Sequence, residues 1–130
     1  RAMTTEQLPV ARPEVRARGI PSFVGQVVSG VALLVLLGLH MIAQHFVVTT
    51  GLRFYDEVIA WLRNPVVIAV EVAFLIFVTY HALLGIRAIV FDFGFSERTE
   101  RRITNIFWVI GIVTIVYGIV LFAAILNAAP

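Results

Sequence analysis

The chain has 130 residues, 60% of them hydrophobic and 14% charged, and a mean hydropathy of +0.96. A water-soluble domain carries nearer a quarter of its residues as charges, so the composition points to a membrane protein. The absence of cysteine excludes disulfides, a cysteine nucleophile, thiolate metal sites and an iron–sulfur cluster held by this chain. All ten basic residues are arginine, the formal charge is +2, and no basic face with interleaved aromatics marks a nucleic-acid partner.

Residues 1–21 are polar, with Pro9, Pro13, Pro21 and four arginines (Arg1, Arg12, Arg16, Arg18), and predict an extended tail. The apolar run behind them is too long for a cleavable signal peptide and lacks a small-residue cleavage site. That run, from about Ser22 to Thr49, is long enough for a first membrane span, since about 20 apolar residues cross the hydrocarbon core as a helix. In the following connection Leu52, Tyr55, Val58, Ile59 and Leu62 recur at helical spacing among Arg53, Asp56, Glu57 and Arg63. With Tyr55 and Trp61 suited to the headgroup level, this predicts a short interfacial helix.

The second span opens at Asn64-Pro65, a capping residue followed by a first-turn proline, and continues to about Phe91. The third runs from about Thr104 to Leu126. Its polar residues are Asn105, Thr114 and Tyr117, and Gly111 and Gly118 share one face, as in a packing helix. The predicted fold is therefore all-α and integral to the membrane. It comprises a tail (1–21) and a single membrane domain (22–128) with helices at about 22–49, 65–91 and 104–126.

Arginine placement sets the orientation. The tail has four arginines and the loop after the second span has Arg98, Arg101 and Arg102. In the first loop Arg53 and Arg63 are balanced by Asp56 and Glu57, and the C-terminus has no arginine. The N-terminus and second loop are expected in the cytoplasm, with the first loop and C-terminus outside the cell's inner membrane.

The histidines carry the chemistry. A polar side chain in the membrane is costly unless satisfied and marks a candidate site; the alternative is a hydrogen bond to a neighbouring helix. His81 is followed four residues later by Gly85, on the same helical face. A flat macrocycle bound through iron needs such clearance beside its ligand, and close helix packing explains the glycine equally. At ~1.5 Å per residue His81 lies roughly 16 Å of helix from Asp92, and His40 roughly 27 Å from Ser22. An offset of about 11 Å excludes the two as ligands of one haem and allows one ligand each to two stacked haems. His45, about 140° round the helix from His40, is an interfacial residue, a quinone-site neighbour or the alternative ligand.

Two segments resemble the membrane-anchor cytochrome b subunits of succinate dehydrogenase and fumarate reductase. The run from His81 through Gly85 and Arg87 to Asp92 and Gly94 is similar to the family's haem-ligand helix. Ser29-Gly30 followed by His40 is similar to the helix bearing the distal ligand in two-haem members. The resemblance, over about Ser22 to Leu126, implies His81 on a proximal haem b and His40 on a distal one. It also implies a second anchor subunit supplying the opposite ligands, and iron–sulfur and flavoprotein subunits on the cytoplasmic face. The chain itself would not act on succinate but would pass electrons to membrane quinone.

One-haem members place a serine and an arginine near the start of the first span for ubiquinone. Here Ser22, Gln26 and Ser29 are present but the last arginine is Arg18, which agrees better with two haems. Arg87 suits a haem propionate or snorkelling to the interface. Glu71 suits a proton relay to quinone or an interhelical hydrogen bond, and Tyr55, Asp56 and Glu57 are further quinone-site candidates. Glu71 also founds a different reading, a small transporter subunit with an intramembrane proton or cation site.

Overall fold

The computed structural model of the chain describes residues 13–46 and 54–128. Among these residues the chain is helical: α1 (Pro13–Met41), α2 (Tyr55–Leu62), α3 (Pro65–Phe91) and α4 (Glu97–Ala128), with a π-helical turn over Ile42–Phe46 prolonging α1. Three stretches are long and apolar enough to cross a membrane: Ile20–Met41, Pro65–Phe91 and Glu97–Asn127, with mean hydropathies of 2.1, 2.2 and 2.8. The all-α membrane architecture read from the sequence is the one observed, including the short helix between the first two spans.

Local chemistry sets the helix boundaries. The Asn64 side chain accepts the Val66 N–H at 2.9 Å and Pro65 opens α3, so neither residue loses a needed backbone bond. In α2 the Glu57 carboxylate reaches back to the Phe54 N–H at 3.1 Å. At the far end of α3, Gly94 adopts φ +72°, the left-handed conformation that costs a glycine little, and turns the chain back into α4.

The observed boundaries differ from the expected ones in two places. Residues 13–21, expected as extended tail, belong to α1; Pro13 takes the favourable first position and Pro21 lies inside the helix. Proline removes a single donor, and the surrounding turns carry the helix past it. Arg98, Arg101 and Arg102, expected in a loop, occupy the opening turns of α4. Glu97 and Glu100 suit its N-terminal dipole, and Glu97 lies 3.7 Å from Arg101 one turn on. The end of the first span beyond Phe46, and Leu52 and Arg53 of the first loop, fall outside the described residues.

The helices pack as a row. α3 is central, α1 and α4 each pack on it rather than on one another, and α2 lies against α3 and α4. The burial pattern is inverted relative to a soluble core: Leu34 is 74% and Val31 59% exposed, whereas Ser29 is 1% exposed. Lipid is as apolar as leucine, so close backbone approach replaces hydrophobic collapse as the packing principle. Glycines supply that approach. A Cβ on Gly111 would lie 2.9 Å from Leu83 Cδ1, and one on Gly118 would collide with Leu75, so the shared glycine face of α4 is the one turned to α3. On the other seam, a Cβ on Gly25 would sit 2.6 Å from Tyr80 Oη.

Gly118→Val is expected to destabilise the bundle by about 1–3 kcal/mol through overpacking. The readout is a lower thermal-unfolding midpoint in detergent. Gly38→Ala, where an added Cβ meets nothing within 4 Å, should leave the midpoint unchanged.

Candidate functional site

Ser29 and Gln26 share a face of α1 and meet His81 of α3. The Ser29 hydroxyl donates to the Gln26 carbonyl at 3.1 Å, leaving its oxygen to accept from His81 Nδ1–H at 3.0 Å. With its proton on Nδ1, the ring presents a lone pair at Nε2, and the Gln26 carboxamide donates to it at 3.2 Å. These proton positions are the set that satisfies all three contacts.

The neighbouring glycines make room for this cluster. A Cβ on Gly30 would stand 3.2 Å from His81 Cε1, and one on Gly85 3.3 Å from Gln26 Nε2. The space that Gly85 leaves open is taken by the Gln26 side chain. The Gln26 Oε1 atom is buried and has no hydrogen-bond partner among the described residues. A buried orphan acceptor costs about 1–3 kcal/mol, so the carboxamide is held at a cost over the His81 lone pair. The imidazole itself suits a haem, since the Nδ1–H tautomer is the one that coordinates a metal through Nε2 and Ser29 fixes the ring's orientation, but the Gln26 carboxamide would have to leave Nε2 for an iron to take its place.

His40 forms the second cluster. Its Nδ1 lies 2.8 and 2.9 Å from the two carboxylate oxygens of Glu71, and its ring stacks on Phe74 with centroids 5.4 Å apart and planes 15° apart. This contact leaves Nε2 as the ring atom for coordination; in His81 the same atom is met by Gln26. Sequence reasoning singled out both His40 and Glu71 without joining them. His45 lies in the π-helical turn and is exposed.

The separation of the two clusters is larger than expected. His40 is level with Glu71, ten residues from His81 along α3, and Ser29 is level with His81, eleven residues from His40 along α1. The two helices give about 15–17 Å rather than about 11 Å. The shorter figure set Ser22 level with Asp92, whereas Ser22 contacts Arg87, more than a turn deeper. The larger offset strengthens the exclusion of a single shared haem.

Arg87 lies about 120° round α3 from His81 and is turned towards α4. Its Nε donates to Thr104 Oγ1 at 3.2 Å, its Nη1 donates to Ser22 Oγ at 2.9 Å, and its guanidinium carbon sits 4.6 Å from the centre of the Phe91 ring. The arginine that the start of the first span lacks is therefore supplied to Ser22 by α3. Beside this contact runs a largely apolar groove of about 430 Å³, lined by Tyr80, Leu84, Trp108 and Ile115 among others.

Residues 17–121 match the family described as succinate dehydrogenase/fumarate reductase transmembrane subunit. The chain belongs to that family. Consistent with this, the anchor is 36% identical over 96 residues to the succinate dehydrogenase hydrophobic membrane anchor subunit of Thermoplasma acidophilum, covering 74% of this chain and 78% of the relative. No solved structure matches the anchor. Family membership favours the anchor reading over the transporter alternative.

Replacing Arg87 by Leu removes the contact that joins α1 to α4 across α3. The expected loss is about 1–3 kcal/mol, read as a lower unfolding midpoint, with Arg87→Lys recovering only part of it because lysine cannot serve both hydroxyls in the same fork.

Proposed function

We propose that this anchor binds two b-type haems and carries electrons from a docked iron–sulfur subunit to membrane quinone. The observation that carries the reading is the pair of histidines with Nδ1 held by a neighbour and the lone pair on Nε2, met at His81 by the Gln26 carboxamide that a haem would displace, about 15–17 Å apart along the bundle. His81 is the ligand of the proximal haem and His40 that of the distal one, with His45 the weaker alternative because it is exposed. The haems supply one-electron chemistry when bound. The chain's part is to hold each imidazole in one tautomer and orientation, through Ser29 at His81 and Glu71 at His40.

Each histidine would supply one ligand to its haem iron and a second anchor subunit would supply the others, while flavoprotein and iron–sulfur subunits complete the enzyme. The chain lies in the inner membrane with its N-terminus and the arginine-bearing start of α4 on the cytoplasmic side. The groove at the Arg87 end suits the quinone. Ser22, Arg87 and Tyr80 offer hydrogen bonds to a carbonyl-bearing head, and the apolar walls accept its tail. Arg87 faces this groove and not the His81–Gly85 face, which favours the quinone contact over a propionate.

A pyridine haemochrome assay on the purified complex tests the ligands. His81→Ala and His40→Ala are each expected to lose one haem per complex, and His45→Ala none; a wild-type complex free of b haem would falsify the reading. For the groove, Arg87→Leu is expected to depress succinate-driven quinone reduction at least tenfold while leaving succinate oxidation by a soluble dye intact.

A further inference from the structure

The two histidines differ in what holds them. His81 Nδ1–H donates to a neutral hydroxyl, that of Ser29. His40 Nδ1–H donates to a carboxylate with both oxygens in reach, at 2.8 and 2.9 Å. Glu71 is only 11% exposed in its side chain, so water does little to screen this contact. Phe74, three residues on and hence on the same face of α3, stacks on the His40 ring and fixes its plane. One helix face thus supplies both the charge and the orientation.

We propose that Glu71 is the positioning residue of His40, and that its carboxylate makes His40 the stronger electron donor of the two histidines. The inference rests on the two-haem reading. A carboxylate accepting the Nδ1–H bond polarises the ring and makes Nε2 a stronger electron donor to a metal. A stronger-donating Nε2, with a negative charge one ring away, would favour the ferric over the ferrous state of an iron bound there. The Ser29 hydroxyl exerts no such pull on His81. Glu71 therefore lowers the midpoint potential of the haem held by His40 and leaves that of the haem held by His81 alone. A purely structural Glu71, pinning α1 to α3, would affect assembly and stability without this selective effect.

Redox titration of the intact purified complex, followed by b-haem absorbance, reads the difference. His40→Ala identifies which spectral component belongs to His40. In Glu71→Gln, which keeps an oxygen acceptor and removes the charge, that component is expected to move to a more positive midpoint while the other stays in place. Glu71→Asp, with the charge kept and the reach shortened, should fall between wild type and Gln, and it carries the test if the Gln variant does not assemble. Both haems retained with both midpoints at wild-type values would overturn the inference and leave the two-haem reading standing. A shift of both components together would overturn it equally. A b haem indifferent to His40→Ala removes the inference along with the role of His40, and a haem-free wild type removes the two-haem reading itself.

Discussion

An unsatisfied polar group in a bilayer has no water to turn to, and the bundle is organised around that constraint. Each polar side chain on the first span that faces α3 finds a polar partner there: Ser22 with Arg87, Gln26 and Ser29 with His81, His40 with Glu71. These contacts fix the rotation and depth of α1 against α3 more tightly than apolar packing does, since aliphatic side chains gain little by leaving lipid. Glycine-lined seams allow the backbones close enough for short side chains such as Ser29 to reach across.

Much of this architecture was legible in the sequence because hydropathy is a one-dimensional signal. The bounds of α3 follow from Asn64-Pro65 and the end of the apolar run, and the spacing of Val58, Ile59 and Leu62 marks α2, where Ile59 and Leu62 are buried. The start of α4 was not legible: Glu97–Ile103 lies beyond the apolar run, where charged residues form helix without a hydropathy signature. Pro13 and Pro21 read as breaks, although proline is compatible with a helix start and can be carried within a long helix.

The site divided along the same line. His81, His40, Gly85, Arg87 and Glu71 stood out singly because a polar or small residue is conspicuous in an apolar run. Their pairings did not, because a contact between spans depends on helix rotation and relative depth, which no spacing within one span encodes. The Arg87–Ser22 contact is the clearest case. The sequence shows a serine without its arginine, and the fold returns the arginine from sixty-five residues away.

The row arrangement has a consequence for how the protein is made. Because α1 packs on α3, the partners of Gln26, Ser29 and His40 on that helix all belong to a segment synthesised later. Of these three, Ser29 has a partner within its own span, the Gln26 carbonyl, and the other contacts form once α3 has been made. The depth and rotation of the first span are thus fixed by residues that follow it in the chain.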